Sequence, residues 1–309
     1  MSDEQEDRRM VVWSIGEVLW DVFPEEERFG GAALNFCANL QRLGEQARLL
    51  SAVGQDDRGR LALDRMRSLG LSTDGVRVVA ELPTGTATIT TAADGEPSFA
   101  IPRPAAFDRV SIGPADFELA QSQGVDWLYF GTLLQTEPQV EEAIVALARH
   151  LPNAARFYDM NLRTGHWNLP LVQRLSALCS VLKLNEAEAE TLFALTRPGE
   201  AFSLETFCSS WASTYRIDRI CVTLGPAGCL IYDGGALHRV PGYAVTVQDT
   251  VGSGDAFAAA FLHGTARGWP VVEAARFANA LGSIVASRAG ATPEWTVEEV
   301  IRRTGSLGS

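Results

Sequence analysis

The sequence predicts an α/β protein: a doubly wound, mostly parallel sheet flanked by helices, with a small antiparallel β lid. Three observations predict it. Apolar runs of strand length alternate with amphipathic helical stretches along most of the chain, the order of a parallel sheet wrapped on both faces. The alternation breaks once, between residues 76 and 106, where strand-like runs rich in Thr and Val follow one another with no helix between them. No internal repeat or low-complexity tract divides the 309 residues, a length that one large α/β domain can fill.

Met10 to Gly16 reads as a buried strand ending at glycine, and Glu17 to Asp21 continues extended with two acids. Gly30-Gly31 opens a helix whose Ala33, Phe36, Cys37, Leu40 and Leu43 recur at helical spacing until Gly44 stops it. Arg48 to Val53 is the next strand, and Asp57 to Leu69 an amphipathic helix closed by Gly70. Val76 to Ala80, Thr84 to Ala92 and Pro97 to Ile101 form the lid strands, with Asp94-Gly95 as a hairpin turn. Alternation then resumes. Strands are expected at 126–130, 155–159, 181–184 and 219–224, with helices between them and a hairpin formed by 229–233 and 236–240. The end is helical: 253–267, 270–288 and 297–303. The resulting boundaries are 10–20, 30–75 and 107–304 for the α/β domain and 21–29 and 76–106 for the lid, with disordered tails at 1–9 and 305–309.

Composition narrows the function classes. The 46% hydrophobic and 21% charged fractions are those of a globular protein, and the net charge of −12 argues against nucleic acid or an anionic membrane as partner. No apolar run is long enough to cross a bilayer, and the acidic Met1–Arg9 segment is unlike a secretory signal. Five widely spaced cysteines without a CxxC pair read as buried thiols, and the four dispersed histidines have no metal-ligand spacing. A cytoplasmic location fits these features.

The chemistry concentrates in Asp249-Thr250-Val251-Gly252-Ser253-Gly254-Asp255, directly before an apolar helix. Gly252 and Gly254 let the backbone turn tightly and bring bare N–H groups to a helix start, an end that attracts anions. Asp255 stands where a carboxylate can take a proton from a hydroxyl that attacks a phosphoryl group held by the same loop. The simpler alternative is an ordinary loop with Asp255 as N-cap. Other polar residues fall at the carboxyl ends of predicted strands, where open α/β sheets bind ligands. They are Asp159, Asn161 and Arg163 after one strand, Lys183, Asn185, Glu186 and Glu188 after the next, and Thr223, Gly225 and Gly228 after a third. Neither a P-loop nor a Gly-x-Gly-x-x-Gly fingerprint is present, so a phosphate must be bound by the glycine loop and helix end.

Asp249 to Asp255 resembles the second signature of the ribokinase-like (PfkB) carbohydrate kinases, Gly30 to Asn35 their first, and Asn185-Glu186-Ala187-Glu188 their Asn-x-x-Glu motif. The resemblance runs from about Val11 to Thr292, and Gly16-Glu17, Asp21, Phe130 to Leu133 and Asp159 to Arg163 are most similar to bacterial fructokinases. It implies an ATP-dependent sugar kinase, with fructose as the expected acceptor and 2-keto-3-deoxygluconate, ribose or a nucleoside as alternatives. A non-catalytic sugar or nucleotide sensor on the same fold is the alternative of another class. Within the resemblance Asp255 is the general base, and the N–H groups of Gly252, Ser253 and Gly254 form the anion hole. Asp21, Gly30, Gly31 and Asn35 hold sugar hydroxyls, Arg163 reaches phosphate or substrate, and Gln135 falls where relatives place a sugar-contacting acid. Asn185 and Glu188 organise Mg2+ and the phosphates through water, while Thr223, Gly225, Gly228 and Asn279 line the nucleotide pocket. The backbone around Asp249 and Arg288 to Ala291 offers a place for a monovalent cation such as K+. A homodimer formed through the lid is a further expectation.

Overall fold

The computed structural model describes residues 8–91 and 97–305. The main sheet has nine strands. In chain order they are β1 (Val11–Ile15), β4 (Gln46–Gly54), β5 (Val76–Val79), β8 (Trp127–Gly131), β9 (Ala155–Asp159), β10 (Val181–Asn185), β11 (Arg219–Thr223), β12 (Cys229–Asp233) and β13 (Ala236–Val240). Their spatial order is β13-β12-β11-β10-β9-β8-β1-β4-β5. All neighbours are parallel except β11–β12 and β12–β13, the hairpin expected from the sequence.

Strand residues alternate between two cores, as the period of two requires. Val11, Trp13 and Ile15 face one and Val12 the other; Leu128 and Phe130 oppose Trp127 and Tyr129 in the same way. The first core is covered by α3 (Pro114–Gln123), α4 (Pro138–His150), α5 (Leu169–Ser176), α6 (Glu186–Thr196) and α7 (Leu204–Tyr215). The second is covered by α1 (Ala32–Arg42), α2 (Asp57–Ser68), α8 (Ser253–Ala266), α9 (Val271–Ala286) and α10 (Val297–Thr304). Ala256, Ala258, Ala259 and Ala260 are fully buried, and their small side chains let α8 lie close between α1 and α9.

The lid is a four-stranded sheet in the order β3-β2-β6-β7, built from β2 (Leu19–Val22), β3 (Glu27–Gly30), β6 (Gly85–Thr91) and β7 (Pro97–Ala100). Two of its pairings are antiparallel, and β2–β6 is parallel. The expected lid strand Val76 to Ala80 is corrected by this arrangement: Val76–Val79 lies parallel to β4 and forms the edge of the main sheet. Its Val-rich composition suits either edge equally. The choice is made at Gly75, where a Cβ would stand 2.2 Å from Leu49 O, so only glycine lets the chain come alongside. Glu27, within the 21–29 stretch assigned to the lid, begins β3. The expected turn at Asp94-Gly95 and most of both tails lie outside the described residues. Arg8, assigned to the N-terminal tail, pairs with Asp126 at 3.1 Å, and Gly305 is the left-handed cap of α10. After the lid, Arg103 returns the chain to the main domain, pairing with Asp108 and Glu137 and donating to Leu133 O at 3.0 Å.

Candidate active site

The site lies where the lid meets the carboxyl ends of the parallel strands. Its centre is the start of α8. Gly252 is the N-cap in a left-handed conformation (φ 78°), and no side chain caps the helix, so its first N–H groups are left for a ligand. A Cβ on Gly252 would lie 2.2 Å from Ala291 O, which makes the turn a glycine position on both conformational and steric grounds. Of the expected anion-hole donors, Ser253 already gives its N–H to Thr250 O at 3.2 Å. Asp255 is not an N-cap: it sits within the first turn, 9% exposed, and accepts a hydrogen bond from Asn35 Nδ2 of α1 at 2.8 Å. The plain-loop alternative fails on this point.

Beneath that helix start lies a buried charge network. Lys183 Nζ donates to both oxygens of Asp159 at 2.9 and 3.1 Å, and Tyr129 Oη donates to Asp159 at 3.0 Å. The two residues are partners in the β9–β10 register. A Cβ on Gly254 would stand 3.1 Å from Lys183 Nζ, so the ammonium lies directly under the anion loop. Burial pushes the Asp255 carboxyl up to about 7, with Asp159 acting in the same direction and Lys183, Asn35 and Arg163 opposing. Burial alone would lower the Lys183 ammonium, but Asp159, Asp255 and Glu188 around it hold it above its ordinary value. A base poised near neutrality beside a fixed cation is suited to accepting a proton from a hydroxyl.

The residues expected to meet a sugar lie on β2 and at the start of α1. Burial raises Asp21 to about 6; Asp249 and Glu17 add to the shift, while Arg163 and Arg28 oppose it. A Cβ on Gly30 would lie 3.0 Å from Asp21 Oδ2, and one on Gly31 (φ 123°) would lie 2.3 Å from Glu17 O. The first glycine pair thus lets α1 begin against the two acids. Glu17 is buried and accepts the Ala32 N–H at 2.9 Å. A cavity lined by Glu17, Tyr129, Thr132, Asp159, Asn161 and Arg163 joins this side to the buried network. Gln135 is not among its lining: it is 1% exposed in the turn Leu134–Thr136, and neither amide atom has a partner among the described residues.

The Asn-x-x-Glu motif performs a definite local task. Asn185 and Glu188 form a capping box on α6, exchanging bonds of 2.8 Å, and the other oxygen of Glu188 accepts the Leu162 N–H at 2.6 Å. The loop after β9, which turns through Asn161 at φ 42°, is thereby held so that Arg163 reaches the cavity. Both Glu188 oxygens retain a further lone pair for water, so the residue fits an indirect magnesium contact. Among the described residues no cluster of three His, Cys, Asp or Glu side chains forms a protein cage for a metal.

The expected nucleotide residues gather at the ends of β11 and β13. Thr223 pairs in register with Asn185, and a Cβ on Gly225 would meet open space. Gly228 packs instead: a Cβ there would lie 2.1 Å from Val240 O. Asn279 Nδ2 donates to the carbonyls of Val240 and Pro241, both at 3.2 Å, and so shapes that loop. Asp249 accepts from Val251 N–H at 3.0 Å, Gly290 N–H at 3.1 Å and Arg28 Nη1 at 2.7 Å. Its carboxylate therefore already has a cation from the chain itself. The sequence reading names Lys183 only as a polar residue at a strand end and leaves Tyr129 and Arg28 out; the alignment of Lys183 with Asp159 at adjacent strand ends was the available signal for their pairing.

Comparisons with known proteins agree with this arrangement. Residues 11–297 match the pfkB family of carbohydrate kinases. The chain is 30% identical to fructokinase-1 of Oryza sativa subsp. japonica, with 96% of this chain and 98% of that one covered. It is 29% identical to the aminoimidazole riboside kinase of Salmonella typhimurium, with 91% and 90% covered. Among solved structures, the ATP-bound fructokinase of Xylella fastidiosa superposes with a TM-score of 0.81 at 23% identity, covering 95% and 97%. The 2-dehydro-3-deoxygluconokinase of Thermotoga maritima superposes at 0.80 and 19% identity, covering 96% and 100%. The uncapped start of α8, the buried Asp255 beside it and a family match over nearly the whole length lead to one conclusion: the chain belongs to the pfkB family of carbohydrate kinases, which transfer a phosphoryl group from ATP to a sugar hydroxyl.

Proposed function

We propose that this kinase phosphorylates fructose or a closely similar ketose, using MgATP. The observation that carries the reading is the convergence of Asp21, Asn35, Arg163 and Asp255 between lid and sheet: short polar groups around a base bonded to Asn35 at 2.8 Å. Fructokinase relatives that align over nearly the full length support the choice of sugar. In this reading Asp21, Asn35 and the Gly30-Gly31 backbone hold sugar hydroxyls, and Asp255 takes the proton of the attacking one. The N–H groups at the start of α8 receive the charge that develops on the transferring phosphoryl group. Magnesium, carried by the nucleotide phosphates and approached by Glu188 through water, supplies charge neutralisation. Thr223 and Gly225 line the nucleotide side. A riboside acceptor is the second reading, favoured by the Salmonella relative.

The test is ADP formation from MgATP across fructose, ribose, 2-keto-3-deoxygluconate and aminoimidazole riboside, with Asp255→Asn as control. Turnover on fructose that falls at least ~10²-fold in the control is expected, since general base catalysis is typically worth that much. Turnover on the riboside alone would replace fructose by the second reading, and near-normal activity of the control would remove Asp255 from its role.

A further inference from the structure

Arg28 belongs to the lid, yet its guanidinium reaches the loop that precedes the anion-binding helix. It lies on β3, opposite Asp21 in the antiparallel β2–β3 register, so the two side chains share one face of the lid sheet. Three contacts orient it: its Cζ lies over the ring of Phe23, 4.7 Å from the centroid, Nη2 pairs with Glu26 at 2.5 Å, and Nη1 pairs with Asp249 at 2.7 Å. The Asp249 side chain is only 12% exposed, which sets this contact apart from an ordinary surface ion pair. Asp249 in turn ties together two further segments, the turn at Val251 and the loop at Gly290, and its own N–H donates to Ala286 O at 3.2 Å. A single carboxylate thus joins the lid, the turn before α8 and the loop after α9.

We propose that Arg28 is a positioning residue for phosphoryl transfer. By clamping Asp249 from the lid, it holds the anion-binding turn Thr250–Asp255 in register with Asp21 on the neighbouring lid strand. The turn needs such a brace. Its backbone is the instrument that meets the phosphoryl group, and a displacement of about 1 Å in a positioned group can cost on the order of 10²-fold in rate. The turn is braced from the sheet side by Gly290 and Ala291; Arg28 makes the corresponding contact from the lid.

The experiment compares wild type with Arg28→Gln, Arg28→Lys, Asp249→Asn and the Arg28→Gln/Asp249→Asn pair. The acceptor is whichever sugar of the panel above the wild type phosphorylates. Deuterium exchange of the peptide covering Asp249–Ala256 is measured without any sugar, so a mistaken acceptor leaves that readout intact. Arg28→Gln is expected to lower kcat about ten- to a hundred-fold with little change in KM for ATP. It should also speed exchange in this peptide while leaving β8–β10 unchanged. Arg28→Lys and added millimolar guanidinium should each restore part of the loss, and the double variant should be no worse than the poorer single one. A wild-type kcat with unaltered exchange in Arg28→Gln would overturn the proposal. So would faster exchange throughout the sheet without guanidinium rescue, because that pattern marks general destabilisation.

Discussion

Asp255 shows how far a residue's chemistry depends on what surrounds it. An aspartate in water is ionised far below neutrality, whereas burial and the neighbouring Asp159 raise this one to about 7. Because the base must be unprotonated to work, kcat/KM is expected to rise as pH is raised through about 7. Burial raises Asp21 as well, to about 6. Asp159→Asn removes a repelling charge and frees Lys183 to interact with Asp255. Both effects favour the ionised base, so the acid limb of the profile should move to lower pH. A pH–rate profile of this variant that stays in place, or moves upward, would contradict the assigned couplings. None of this was legible in the sequence, where Asp159 and Lys183 were polar residues at two strand ends without a stated connection.

Among the elements, α6 and α8 use their first turns in opposite ways. α6 is closed by its own side chains, Asn185 and Glu188, whereas α8 is left open by a glycine cap. The closed end has its N–H groups satisfied by the chain itself, and the open end is available to an anion, as the helix dipole would have it. Glu188→Ala should lower stability by about 1–3 kcal/mol, since it removes the Glu188 half of the capping box and leaves the Leu162 and Asn185 N–H groups unpaired, while the Asn185 cap on the Glu188 N–H remains. It should also lower turnover by loosening the loop that carries Arg163. Chemical denaturation and steady-state rates check the two effects, and an unchanged denaturation midpoint would rule out the bracing role. The capping box could be read from the Asn-x-x-Glu spacing, but its bond to Leu162 could not, because that contact joins loops after different strands.

For the molecule as a whole, the division into sheet and lid determines how substrate affects stability. A sugar held between β2 and the start of α1 binds the folded chain alone. At a concentration of a hundred times its Kd it should therefore stabilise the protein by about 2.7 kcal/mol. A thermal shift that appears with fructose and vanishes with a non-substrate sugar is the expected result; no shift with any sugar of the panel would speak against a preformed acceptor site. Among the described residues no helix is long and apolar enough to cross a membrane.

The sequence by itself determined the alternation of strands and helices, the hairpin β12–β13 and the glycine loop before α8. Each follows from local periodicity or from glycine's conformational freedom, which act over a few neighbouring residues. Only the tertiary structure decided that Val76–Val79 joins the main sheet, because an apolar β-rich run suits either edge until a partner is present. It alone brought Lys183 under Gly254, buried Gln135 outside the lining of the cavity and set Arg28 on Asp249. Charges separated by 221 positions along the chain interact only after folding removes water between them, so no local pattern records their pairing.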